Sequence, residues 1–169
     1  VTDILISHAH GDHVGGLVAN GALVFTNATI RLSIPEWTAL QSDADMADLV
    51  RAITPKVQAF APGSVVAPNI TAVSLDGHTP GHSGYEIAHG GGRLLYIGDA
   101  LHSSILSVQR PDWKNNWDAD SATAIATRQG LLERGASQNL RIYGVHFPFP
   151  GLCRFQRRDD GFVWTPGAN

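Results

Sequence analysis

Four potential metal ligands crowd into six residues at His8-Ala9-His10-Gly11-Asp12-His13, directly behind the apolar run Asp3-Ile-Leu-Ile-Ser7. The run reads as a buried strand that delivers His8 to a loop. Imidazole and carboxylate donors together suit zinc, and a loop leaving a rigid strand can turn close neighbours toward two adjacent metals. Gly11, Gly15 and Gly16 let the backbone fold tightly there without Cβ clashes. The competing reading is a His-rich loop that is merely solvated or scavenges metal weakly. Three histidines and one aspartate at this spacing argue against it.

The same pairing of strand and polar end recurs downstream. Gly77-His78-Thr79-Pro80-Gly81-His82 follows the apolar stretch Ile70–Leu75 and brings two more histidines. Gly98-Asp99 follows Leu94-Leu95-Tyr96-Ile97, with His102 three residues later. His146 ends the strand-like Arg141–Val145 and enters Phe147-Pro148-Phe149-Pro150-Gly151. Each alone is weak, because a lone histidine at a strand end is more often structural. Their order and placement behind the first motif make chance assembly improbable.

Taken together, HxHxDH, GHTPGH, GD and a late histidine resemble the metal-binding series of metallo-β-lactamase-fold hydrolases, over positions 8 to 146. The resemblance implies an α/β fold, the αββα sandwich, carrying two Zn2+. It implies that His8, His10 and His78 bind the first zinc, that Asp12, His13 and His146 bind the second, and that Asp99 bridges both. His82 matches a position that supports a ligand rather than binding metal. The catalytic residues are then Asp12, Asp99 and His102. A metal-bridging hydroxide attacks the substrate, Asp12 accepts a proton during turnover, and His102 either donates to the substrate or leaving group or braces the Asp99 loop.

Finer features narrow the branch. True β-lactamases of this fold lack an aspartate at the bridging position, so Asp99 argues against antibiotic hydrolysis. Acyl-homoserine lactonases typically carry a tyrosine where His102 stands. The stretches Tyr96–His102 and His146–Leu152 look most like methyl parathion hydrolase and its relatives. Those relatives often continue Pro-Gly-x-Gly-His, whereas Cys153 and Arg154 follow Leu152 here. The expected function is a dinuclear zinc hydrolase of an ester-like or phosphotriester substrate. A quorum-quenching-type lactonase or a glyoxalase II-like thioesterase is the alternative. A non-catalytic metal-binding scaffold is the reading from a different class, and it is expected to have lost ligands, of which none is missing.

Composition bounds the partners. Charged residues make up 16% with a formal net charge of −3, which gives no electrostatic reason to expect nucleic acid or an anionic membrane. No apolar run approaches the ~20 residues of a membrane span. A small-molecule substrate is the expected partner, and a homodimer is compatible with the sequence. The single Cys153 rules out an internal disulfide framework. No compartment is legible. Trp37, Trp113, Trp117, Phe147 and Phe149 are candidates for an apolar substrate wall, of which about two are expected to touch substrate.

Periodicity places strands over Ala22–Phe25, Thr29–Ser33, Ile70–Leu75, Tyr85–Ala88, Arg93–Ile97 and Leu140–Val145. Cys153–Gln156 and Gly161–Trp164 read as a closing hairpin. Helical structure is expected over Val14–Asn20, from Pro35, over Ala44–Ile53, and from a cap at Asp118 or Asp120 to about Arg134, with Gly135 as the stop. His89, beside the Gly90–Gly92 turn, reads as solvent-exposed. Proteins with this pattern draw their first sheet largely from sequence ahead of HxHxDH, and only seven residues precede His8. Residues 1–169 are therefore expected to be a single domain lacking much of its N-terminal sheet, an incomplete fragment with Asp3–Ser7 beside an unpaired edge.

Overall fold

A computed structural model describes residues 1–167. Strand β1 (Asp3–Leu5) runs parallel to β4 (Thr29–Arg31), with Ile4 opposite Ile30. Between them lie α1 (Gly11–Val14), a 3-10 turn, and the short hairpin of β2 (Val18–Ala19) and β3 (Ala22–Leu23). Helices α2 (Ile34–Ser42) and α3 (Ala47–Ile53) follow. Their Leu40 and Ile53 join Ile6, Val14, Ile30 and Leu32 in one buried cluster, which covers a face of this small sheet. The other edge of β1 has no strand partner among the described residues.

The larger sheet has the order β11-β10-β9-β8-β7-β6-β5. Its strands are β5 (Val65–Ala67), β6 (Ile70–Ser74), β7 (Ser83–His89), β8 (Gly92–Tyr96), β9 (Arg141–Tyr143), β10 (Leu152–Arg158) and β11 (Gly161–Pro166). Neighbours are antiparallel except β8 and β9. That pair is parallel because the chain must return between them, which it does through α4 (Leu106–Gln109) and α5 (Ser121–Ser137). Alternation of Cβ direction sends neighbours to opposite layers. Leu95 joins Ile97, Leu131, Leu132, Ile142 and Phe155 in the cluster beneath α5, whereas Tyr96 packs with Ala72, Tyr85 and Leu5 toward β1. The Tyr85 hydroxyl donates to the Ile6 carbonyl at 2.6 Å, tying the two sheets together. The result is helix, sheet, sheet, helix, the layering that the resemblance implies.

Several expectations are corrected. Helix starts at Gly11 rather than Val14, so Asp12 and His13 sit on a helical turn instead of a loop, and β2 takes over at Val18. Ala44–Met46 is a 3-10 turn capped by Asp43, ahead of α3. Strand β5 and helix α4 are additions with no clear periodicity. Helix α5 is capped by Asp120, which accepts from the Ala122 and Thr123 amides, but Gly135 does not end it. A Cβ there would lie 2.8 Å from Phe155 Cδ2, so this glycine permits close packing of helix on sheet. The stop comes at Asn139, which takes a left-handed φ of 49°. No helix among the described residues is long and apolar enough to cross a membrane.

Candidate metal centre

The polar segments that follow β1, β6, β8 and β9 converge at one end of the sandwich, around Asp99. Its carboxylate is ringed by imidazoles. Asp99 Oδ2 lies 3.1 Å from His146 Nε2, 3.4 Å from His102 Nε2, 3.6 Å from His78 Nε2 and 3.8 Å from His8 Nε2. Oδ1 lies 3.2 Å from His13 Nε2. Gly98 makes this approach possible, since a Cβ there would fall 2.6 Å from His82 Nε2 and its φ is +48°.

Hydrogen bonding fixes which ring nitrogens face the centre. His78 Nδ1 is 3.2 Å from Asp118 Oδ1; a carboxylate only accepts, so Nδ1 carries the proton and the Nε2 lone pair points inward. His78 Nε2 sits 3.1 Å from His10 Nδ1. His8 bonds Ser7 Oγ through Nδ1, and its Nε2 is buried with no hydrogen-bond partner. His8, His10 and His78 thus bring three ligand atoms within 4.8 Å of one another. His8, His13 and Asp99 form a second such group, and His78, Asp99 and His102 a third. Orphaned buried nitrogen and convergent lone pairs are costly unless a cation fills the space, so the donor set fits zinc.

The electrostatics agree. Burial resists ionisation of Asp99, but His102, His13 and His146 outweigh it and hold the carboxyl well below the usual carboxylate range. Desolvation, with neighbouring histidines, pushes His8 down to about 2. Desolvation likewise pushes His82 down to about 3; its Nε2 accepts the Asp99 amide at 2.9 Å, which buttresses the Asp99 turn from outside the cluster. His13 is shifted the other way, raised by Asp99.

Between pH ~6.5 and the depressed values, the unfolded chain binds protons at His8 and His82 that the folded chain refuses, so acid favours unfolding. The contribution is fully present above pH ~6.5 and is lost on acidification. The metal-free protein should lose stability at up to about 3 kcal/mol per pH unit below pH ~6 from these two histidines. Urea denaturation of chelator-treated protein at pH 7, 6 and 5 measures this, and a flat profile would contradict the burial of both neutral rings.

The remaining sequence candidates separate. Asp12 lies at the rim with its side chain 71% exposed, 3.5 Å from His13, and reaches the centre less closely than the histidines. Trp117 lines a cavity of about 290 Å³ together with His10, Asp12, His78, Asp99, His102 and His146, and its ring leans on His102 at 5.5 Å. Trp113 lines the adjoining cavity of about 470 Å³, which shares His102 and Trp117. Trp37 and Phe147 do not join the wall, because both pack into hydrophobic cores. Phe149 is almost fully exposed and lines neither cavity. His89 is exposed, as expected.

Four supporting residues escaped the sequence reading. Asp118 bonds His78 and accepts from buried Arg128 at 3.0 Å. Asn115 bonds His102, and Glu36 holds the backbones of both histidine loops. Two carried a local signal, Asp118 as a helix-cap candidate and Glu36 through its S-x-x-E spacing from Ser33, and neither signal pointed to the site.

The Metallo-beta-lactamase superfamily profile matches residues 1–146. The structure is similar to AidC, a dizinc quorum-quenching lactonase, at TM-score 0.94 and 29% identity, covering 100% of this chain and 65% of that one. It is similar to hydrolase AbOPH, in the beta lactamase superfamily, at TM-score 0.90 and 28% identity, covering 100% and 65%. A probable metal-dependent hydrolase from Staphylococcus aureus shares the fold at TM-score 0.80 and 18% identity, covering 100% and 64%. The chain thus spans about two thirds of the length of these relatives, and no curated protein matches it. Profile, fold and convergent histidine cluster lead to one conclusion: the chain belongs to the metallo-beta-lactamase superfamily.

Proposed function

We propose that this centre holds two zinc ions and hydrolyses an ester-type bond in a small molecule, with lactones as the leading substrate class. The observation that carries the reading is the ring of five histidine nitrogens within 3.8 Å of one buried, ionised carboxylate. In this reading His8, His10 and His78 hold one metal, Asp12, His13 and His146 the other, and Asp99 both. When bound, the metals supply Lewis-acid polarisation of the electrophile and acidify a water so that hydroxide is available near neutral pH.

The chain's own residues do the rest. Trp117 N–H donates to Asn115 Oδ1 at 3.2 Å, which orients the amide so that Nδ2 donates to His102 Nδ1 at 2.9 Å. His102 Nδ1 is therefore the acceptor, and the proton of the neutral ring sits on Nε2, facing Asp99 and the cavity. From there it donates to a substrate or leaving-group oxygen. Asp118 keeps the proton of His78 on Nδ1 and so preserves its inward lone pair. Asp12, exposed at the rim, takes up the proton released in hydrolysis. Trp117 walls one side of the metal cavity, and Trp113 lines the adjoining one.

The lactone class is supported by the likeness to AidC, itself a lactonase. It stands although His102 occupies the position where lactonases typically carry tyrosine, because an Nε2–H donor replaces a phenolic one. The phosphotriester reading is favoured by the likeness of Tyr96–His102 and His146–Leu152 to methyl parathion hydrolase and its relatives. A turnover screen of zinc-loaded protein on acyl lactones, carboxylic esters, thioesters and phosphotriesters separates these. Lactone opening is expected; no turnover of any class by protein with two metals bound would sink the proposal.

His102→Phe tests the proton donor. We expect kcat to fall on the order of a hundredfold with zinc content unchanged. Loss of zinc along with activity would make His102 a brace for Asp99, and no change in either would make it a bystander.

A further inference from the structure

We propose that Glu36 is a positioning residue that clamps the two histidine-bearing loops together and sets the metal affinity of the His8–His10–His78 face. The inference rests on the reading above that this face holds a metal. Ser33-Ile-Pro-Glu36 has the S-x-x-E spacing of a capping box, in which the glutamate returns to the N–H of the capping serine. Only half of that box forms. Ser33 Oγ accepts from the Glu36 amide at 3.2 Å, but the Glu36 carboxylate turns away from its own helix. Its Oε1 accepts the Ala9 amide at 2.8 Å, and its Oε2 accepts the Thr79 hydroxyl at 2.7 Å and the Gly81 amide at 3.0 Å.

Ala9 separates His8 from His10, and Thr79 adjoins His78. One carboxylate therefore spans the two segments whose ring nitrogens must meet, and it stands behind the 3.1 Å approach of His10 Nδ1 to His78 Nε2. The joint has no slack. Ser33 Oγ also donates to the Gly81 carbonyl at 2.7 Å, and a Cβ on Gly81 would fall 2.2 Å from Glu36 N. Glu36 is 2% exposed. Burying a carboxylate is costly, and here three donors and the N-terminal end of α2 offset the cost. Docking α2 alone needs no such charge, since Leu40 and Trp37 already pack it against the core. The charge is explained by the alignment of the two loops.

The test is zinc titration of wild type and Glu36→Gln against a chromophoric chelator, with the thermal midpoint of each metal-free protein measured alongside. Glutamine keeps the volume but turns an NH2 toward a donor, so one loop loses its acceptor. One zinc equivalent is expected to weaken by about 10–100-fold and the other to hold, while the orphaned donor lowers the metal-free midpoint by only a few degrees. Unchanged affinity for both equivalents overturns the proposal, as does a lowered midpoint with zinc affinity intact, which would make Glu36 purely structural. Should Glu36→Gln fail to fold, Thr79→Val removes one donor only and is expected to weaken the same equivalent severalfold; no change there is equally fatal. Wild-type protein that takes up no zinc removes the functional reading and this inference together, and shows itself in the first titration.

Discussion

Replacing Asp99 by alanine is expected to lower kcat on the order of a thousandfold or more, about 4 kcal/mol of barrier, and to reduce bound zinc below two equivalents. Asp99 lies within 3.8 Å of histidines from both proposed metal faces. Removing it leaves five imidazoles clustered without their central negative charge, so cations held on either face would repel each other unscreened. Asp99→Asn separates charge from shape, since it keeps the side-chain volume and one oxygen. We expect it to retain the fold and still lose most turnover. Steady-state kinetics with metal analysis of the same samples provides the check. Full activity of the alanine variant at unchanged zinc content would end the dinuclear reading.

Arg128→Met is the second large effect, expressed first in stability. The Arg128 and Asp118 side chains are only 4% and 3% exposed, and their 3.0 Å contact pairs two buried charges. Burial alone would raise the Asp118 carboxyl; His78 and Arg128 together hold it below its ordinary value. Taking Arg128 away leaves a buried carboxylate whose one remaining partner is His78. The expected cost is about 3–5 kcal/mol, because an uncompensated buried charge is penalised far more than the intact pair stabilises. The double variant Arg128→Met/Asp118→Asn should recover much of that loss while weakening zinc binding through His78. Urea denaturation of the three proteins at fixed metal concentration decides it, and a loss under about 1 kcal/mol for Arg128→Met would show that water already compensates Asp118.

Much of the inner ring was legible in the sequence because four of its members sit where an apolar run ends. Strand periodicity points those runs into the sheets, and the polar residues that follow must then emerge at an edge. His8, His78, Asp99 and His146 are all of this kind. The supports were not legible, because their bonds join residues far apart in the chain: Glu36 reaches Ala9 and Gly81, and Asp118 reaches His78. The misplaced aromatics have the opposite cause. Nothing local distinguishes Phe147, buried against Phe155 and Trp164, from Phe149 two residues on, which is almost fully exposed. Gly135 failed as a helix stop because glycine serves close packing as well as left-handed turns, and only the position of Phe155 tells which.

Zinc-anomalous diffraction from crystals of the zinc-loaded protein tests the central claim most directly. It should show two peaks flanking Asp99, one against His8, His10 and His78, the other against Asp12, His13 and His146. A single peak, a first-face ion held by His82 in place of His78, or an Asp99 carboxylate turned away from the metals would contradict it.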